Sequence, residues 1–282
     1  MSPTPATGLL AGRRILITGV VTTDSIAFAT ARAALDAGAE IVLSGLPRDL
    51  DRTGEAAEEL PGAIAVVGAD LTVPADVEAL RGDLAERWGR LDGALHAVAF
   101  APRGALAGDL LATEFDDVSR AMDASTYSYA ALARVLRDLA PETGGSLVGL
   151  DFDAAGAWPV YNWMGVCKAG LEAVSRYVAR DHGPRRIRSN LVAAGPLHTR
   201  AAGGIADFEA LTDAWAAGSP IAWDDKDSAP VADAVVFLLS DLASMVTGEI
   251  LHVDGGYHAM AAPLAPATTP SAPATPRQPV PA

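Results

Sequence analysis

Seven short apolar runs, near residues 14–18, 39–45, 63–68, 92–99, 145–151, 187–193 and 249–253, are bounded by Gly or Pro signals, and amphipathic stretches lie between most of them. Strands that read as continuous apolar runs must be covered on both faces, and strand alternating with helix is how a chain does this. The pattern predicts an α/β protein built on a doubly wound parallel sheet. With 282 residues, half of them apolar, the chain can bury one large core, and a single domain over residues 1–261 is expected. Residues 262–282 turn to Pro, Ala and Thr with almost no charge, a composition that buries too little apolar surface to order itself. That tail is expected to be disordered.

A formal charge of −14 argues against nucleic acid and anionic membrane as partners, because both need a positive footprint. The basic stretch Arg180 to Arg188 reads as cations completing a helix C-terminus. The only cysteine, Cys167, excludes an intramolecular disulfide, and neither C-x-x-C nor H-E-x-x-H spacing occurs, so no metal site is expected. Residues Met1 to Gly8 lack the basic and apolar regions of a signal peptide, and no apolar run approaches the length of a membrane span. A cytoplasmic protein is the expectation.

The first strand leads into Thr18-Gly19-Val20-Val21-Thr22-Thr23-Asp24-Ser25-Ile26-Ala27, with a helix expected over Ser25 to Ala37. A glycine at such a turn lets the backbone approach a pyrophosphate, and free N–H groups at a helix start favour its negative charge. The G-x-G-x-x-G spacing is absent, since the next glycine is Gly38, so Ser25, Ile26 and Ala27 must close the cradle. In a Rossmann-type sheet the ligand lies beyond the carboxyl ends of the strands. That is also where Tyr161-Asn-Trp-Met-Gly-Val-Cys-Lys168 falls, after the run Gly145 to Phe152 and a Pro159 suited to a helix start. Seven steps along a helix return to within about 20° of the starting direction, so the phenol and the ammonium can reach one bound molecule.

With these features in order, together with Asp70 after the third strand, His96-Ala-Val-Ala-Phe100, Ala194-Gly195-Pro196 and Val253-Asp254-Gly255-Gly256, the chain resembles the short-chain dehydrogenases/reductases. More narrowly, from about Gly8 to Met260, it is similar to the FabI/InhA-type enoyl-acyl-carrier-protein reductases of bacteria. Asp151-Phe152-Asp153, the Tyr161/Lys168 spacing and Arg188 to Pro196 carry the resemblance most specifically. It implies NADH-dependent reduction of the trans-2 double bond of an enoyl thioester, on acyl carrier protein or coenzyme A, in fatty acid biosynthesis. Tyr161, Lys168 and Phe152 would be catalytic: Tyr161 on the thioester oxygen, Lys168 on the nicotinamide ribose, Phe152 against the reacting bond. Gly19, Ser25 and Ile26 would bind pyrophosphate, Asp70 and Leu71 would flank adenine, Ala99 would lie beside the ribose, and Thr199 would contact the phosphates. The resemblance also implies a homotetramer paired through helices at about 114–138 and 160–181, burying Ala121, Tyr129, Leu132, Val174, Tyr177 and Val178.

Some positions depart from the family pattern. Ala99 replaces the usual glycine beside the ribose, Leu46 replaces an aromatic on adenine, and Arg103 replaces a glutamine. The segment between Thr199 and Pro220 is shorter than in the mycobacterial InhA-type members, whose longer loop walls a long acyl chain, and this points to a shorter substrate. No acid ends the second strand to hold a ribose 2′-hydroxyl, and Arg48 there points to tolerance of NADPH beside NADH. Two other readings stay open at the sequence level: a specialised-pathway carbonyl reductase or dehydrogenase of the same superfamily, and a nucleotide-binding sensor without turnover.

Overall fold

The computed structural model describes residues 8–106, 108–200, 202–205 and 207–261. The segment 262–282, expected to be disordered, lies outside the described residues.

Strands β1 (Arg14–Thr18), β2 (Glu40–Gly45), β3 (Ala65–Gly68), β4 (Gly93–His96), β5 (Gly145–Asp151), β6 (Ile187–Ala194) and β7 (Ile250–Val253) form one seven-stranded sheet in the order β3-β2-β1-β4-β5-β6-β7. Every neighbouring pair is parallel. The helices are α1 (Ile26–Asp36), α2 (Leu50–Glu58), α3 (Pro74–Trp88), α4 (Phe115–Met122), α5 (Ser128–Leu139), α6 (Asn162–His182), α7 (Phe208–Gly218) and α8 (Ala229–Leu239). The sheet has a core on each face. One joins Ile15, Ile17, Phe28, Leu43 and Val235 beneath α1 and α8; the other joins Leu16, Val42, Leu80, Leu84, Leu132 and Leu147 beneath α3 and α5. This is the doubly wound Rossmann-type α/β fold. Among the described residues no helix is long and apolar enough to cross a membrane.

Local chemistry explains where the elements stop. Ser25 caps α1, its Oγ accepting from the Phe28 N–H at 3.1 Å. Pro74 opens α3, where its missing N–H costs nothing, and Gly89 ends it in the left-handed region at φ 67. The fourth strand, expected to run to residue 99, stops at His96. There Ala97 turns its N–H to Thr18 Oγ1 at 3.2 Å, while Thr18 Oγ1 donates to the Leu95 carbonyl at 2.8 Å. β1 and β4 are therefore tied together where the strand order reverses. Gly19 sits at φ 81 in this junction, and a Cβ on it would come within 2.0 Å of the Ala97 carbonyl oxygen.

The helix expected over about 114–138 is interrupted by a π-helical turn at Asp123–Tyr127, and Thr126 Oγ1 there donates to the Cys167 carbonyl of α6 at 2.8 Å. Pro159 does not open α6. It lies in a turn, and the helix starts at Asn162, because Val160 and Asn162 take positive φ values of 60 and 40 on either side of Tyr161.

The pairing faces also need correction. Ala121, Tyr129 and Leu132 are fully buried inside the chain and have nothing left to offer a partner. Ala121 packs with Tyr161, Met164 and Cys167. Of the other expected contacts, Tyr177 is exposed and Val174 and Val178 are half-buried, while Phe115, Tyr127 and Val166 are the exposed apolar side chains on the same elements.

Gly19→Ala combines a left-handed backbone with a steric overlap against main chain. It should cost roughly 2 kcal/mol or more, seen as a fall of about 5 °C or more in melting temperature. Unchanged melting would show that the β1–β4 junction relaxes freely.

Candidate active site

The carboxyl ends of the strands hold the site residues, as a parallel sheet with this strand order requires. Gly19 follows β1, Asp70 and Leu71 follow β3, Ala99 follows β4, Phe152 follows β5 and Thr199 follows β6. Lys168 comes in from α6, and Tyr161 is the residue immediately before that helix.

Lys168 is buried, and its Nζ donates to the Leu150 carbonyl at 2.9 Å. Burial pulls this ammonium below its ordinary pKa, while the neighbouring Asp151 opposes the shift. Asp151 is itself buried, and burial pushes its carboxyl up to about 7 against the pull of Lys168. Tyr161 is buried against Phe152, with ring centroids 4.9 Å apart. Burial, with Asp151 adding to it, raises its phenol above the ordinary value, so the group keeps its proton and serves as a donor. Among the described residues its hydroxyl makes no hydrogen bond. The two positive φ values flanking Tyr161 are sterically costly for Val160 and Asn162, and backbone strain of this kind persists only where the surrounding structure enforces it.

Five buried side-chain polar atoms lack a partner among the described residues: His96 Nδ1, both carboxyl oxygens of Asp151, Asn162 Oδ1 and Trp215 Nε1. They belong to residues that end β4 and β5, follow Tyr161, or sit on α7 above Phe152. Unsatisfied groups elsewhere in a folded chain are rare, so their concentration here marks the region as built for something other than packing.

The nucleotide cradle is more mixed. Ser25 Oγ already donates to the Thr22 carbonyl at 2.8 Å while accepting from Phe28, so its first task is to hold the loop. The Ile26 and Ala27 amides at the start of α1 have no intrahelical acceptor and fit a pyrophosphate. Asp70 Oδ1 accepts from the Thr72 N–H at 3.0 Å and from Thr72 Oγ1 at 2.7 Å, closing a turn before α3. Leu71 is buried in the core with Val42, Val77 and Leu80, so only its main chain can face adenine. Ala99 is exposed in the loop after β4. Thr199 Oγ1 accepts from Ala202 N at 3.4 Å and lines a cavity of about 340 Å³ with Asp24 of the nucleotide loop, His198, Arg200 and Glu209. The residues present fit a dinucleotide. Among the described residues no group of three or more His, Cys, Asp or Glu side chains is placed to hold a metal ion.

A family model described as enoyl-(acyl carrier protein) reductase matches residues 19–258, spanning the nucleotide loop, the Tyr161/Lys168 helix and the last strand. The chain belongs to the enoyl-acyl-carrier-protein reductase family. Curated relatives agree. It is 39% identical over 264 residues to an enoyl-acyl-carrier-protein reductase (NADH) of Mycolicibacterium smegmatis, covering 89% of this chain and 97% of the relative. A Rhizobium meliloti enoyl-acyl-carrier-protein reductase (NADH) is 40% identical over 266 residues, 90% of this chain and 93% of the relative. The corresponding FabI protein of Neisseria meningitidis is 39% identical over 257 residues, 89% and 96% of the two chains.

Sequence reasoning assigned no role to two residues of this reductase site. His96 is buried with Nε2 2.8 Å from Ser128 Oγ, and burial with the Lys168 charge drives its pKa down to about 3, so it is a neutral imidazole. Asp151 was visible only as part of the Asp-Phe-Asp motif, and a signal was present: a carboxylate one residue past Leu150, whose carbonyl anchors the lysine.

Asp151 gives the site a pH dependence with a definite sign. A carboxyl raised from its ordinary value near 3.8 to about 7 binds its proton more tightly in the folded state. Its contribution to stability is full below the ordinary value, declines as pH rises, and is gone once pH passes through about 7. The melting temperature of the native chain should therefore fall between pH 5 and pH 8 more than that of Asp151→Asn. Parallel pH profiles for the two proteins would contradict this.

Proposed function

We propose that this protein reduces the trans-2 double bond of an enoyl thioester carried on acyl carrier protein, with Tyr161, Lys168 and Phe152 as its catalytic residues. The observation that carries the reading is a buried, proton-retaining phenol against Phe152, immediately before α6, and a buried ammonium seven residues further on within that helix, at the strand ends that also hold the candidate nucleotide loop. NADH, when bound, supplies the hydride that goes to the β-carbon. Negative charge then develops on the thioester oxygen as an enolate. The Tyr161 hydroxyl donates to that oxygen, and because it is sheltered from water the contact strengthens as the charge grows. Lys168 spends one donor on Leu150, leaving two for the ribose hydroxyls. Phe152 supplies an apolar floor beneath the reacting bond. A proton drawn from solvent then adds to the α-carbon as the enolate collapses, which completes the saturated thioester.

In the same reading Gly19 and the amides of Ile26 and Ala27 receive the pyrophosphate, with Ser25 shaping the loop. Asp70 and the main chain of Leu71 flank adenine, Ala99 meets the ribose, and Thr199 reaches the phosphates. Arg48 is largely exposed and lies 3.7 Å from Asp49, an acid that weakens its pull on a 2′-phosphate. NADH is thus the preferred cofactor, with NADPH tolerated. A lone cysteine kept reduced fits action in the cytoplasm. The assembly would be a homotetramer in which α4, the π-helical turn, α5 and α6 pair with a second copy through the exposed apolar side chains of these elements, Phe115, Tyr127, Val166 and Tyr177.

Two measurements test these assignments. Tyr161→Phe should lower turnover on an enoyl thioester by roughly 10²-fold with little change in NADH affinity, whereas Lys168→Met should lose NADH binding in a fluorescence titration. Full activity in the first or normal binding in the second would refute the roles given. Light scattering at micromolar concentration should return the mass of four chains, and Tyr177→Asp should shift it downward; a native monomer would refute the assembly.

A further inference from the structure

Beyond Phe152 the site is closed by an aromatic wall whose parts come from three separated stretches of chain. Trp158 follows β5, Trp215 lies on α7, and Tyr257 follows β7. Phe152 lies 5.4 Å from Trp158 and 5.7 Å from Trp215 between ring centroids. Trp158 lies 5.1 Å from Trp215 and 6.0 Å from Tyr257. Trp215 and Tyr257 stack at 3.9 Å with planes 13° apart.

These distances decide what can pass. A hydrocarbon chain threaded between two rings needs a carbon–carbon contact of about 3.5–4.0 Å on each side, hence faces roughly 7 Å apart or more. Every separation in the wall is smaller. The wall is also anchored. Trp158 Nε1 donates to the Asp153 carbonyl. Trp215 is 2% exposed. Tyr257 lies so close to Gly218, at the end of α7, that a Cβ there would come within 2.8 Å of its ring. Opening the wall means moving α7 and the segment after β7 together.

The wall stands on the β5–β7 side of Tyr161 and Phe152, away from the nucleotide loop at the β1–β4 junction. An acyl chain whose reacting bond rests against Phe152 meets Trp158 and Trp215, which pack on that ring, a few carbons beyond the β-carbon. We infer that Trp158, Trp215 and Tyr257 limit this enzyme to short 2-enoyl thioesters. The inference rests on the enoyl-reductase reading and assigns substrate class to three side chains outside the catalytic set.

The experiment measures kcat/KM with NADH for crotonyl, hexenoyl, octenoyl and dodecenoyl thioesters, using the native chain, Trp158→Leu and Tyr257→Ala. The native chain should lose efficiency by about 10-fold or more from hexenoyl to dodecenoyl, against the trend of apolar burial, which rewards each added methylene. Each substitution should raise the dodecenoyl-to-crotonyl ratio by about 10-fold or more; the ratio is the readout because a general loss of folded enzyme cancels from it. Equal efficiency across lengths in the native chain, or an unchanged ratio in both variants, overturns the inference while leaving the enoyl-reductase reading intact. No turnover by the native chain at any length overturns that reading, and this inference with it.

Discussion

The site depends on one buried contact, the Lys168 ammonium on the Leu150 carbonyl. Taking an ammonium out of water is costly unless it is hydrogen-bonded and has a counter-charge nearby. Here the hydrogen bond comes from Leu150 near the end of β5 and the counter-charge from the adjacent Asp151. The contact therefore locks α6 in rotation and height relative to the sheet. Because Tyr161 immediately precedes α6, seven positions before Lys168, locking the helix also restricts where the phenol can be. Burial is electrostatically unfavourable for both charged partners, which is why the ammonium is pulled down and the carboxyl pushed up.

A second tension lies at the amino end of α6. Val160 and Asn162 hold left-handed backbone on either side of Tyr161. A helix started smoothly at Pro159 would carry residue 161 around the axis within its first turn; delaying the helix to Asn162 leaves Tyr161 facing Phe152. The neighbouring π-helical turn contributes in the same region, because Thr126 ties the α4–α5 segment to the Cys167 carbonyl, one residue before Lys168. Irregular backbone, unsatisfied buried polar atoms and shifted pKa values coincide in one place. Each alone has structural explanations, but together they distinguish a site from a core.

The two sides of the candidate site are built on different terms. Hydrogen bonds of Thr18, Ser25, Asp70 and Thr199 stiffen the loops of the first, leaving main-chain donors to receive a ligand. The second is made of stacked rings with few polar atoms.

The alternation of apolar runs with amphipathic stretches determined the parallel sheet almost strand for strand, because a strand buried on both faces has few other sequences open to it. The Tyr161/Lys168 spacing reads as two turns of one helix, yet Tyr161 lies just before α6; the Gly19 turn, a local rule of backbone conformation, was legible. Contacts between distant segments were not. That β4 ends at His96 follows from Thr18 and Gly19, which lie 77 residues away in the Thr18–Leu95 hydrogen bond. That Ala121, Tyr129 and Leu132 face inward follows from what packs over them, since an apolar helix stripe looks the same whether its partner belongs to the same chain or another. The role of Asp151 needed the buried lysine beside it, and the wall of Trp158, Trp215 and Tyr257 needed three distant segments, one of them helix α7, brought together. Sequence determined the strands and helices through local periodicity; only tertiary structure decided which residues share a dielectric environment and which block one another's space, because both depend on contacts between distant segments.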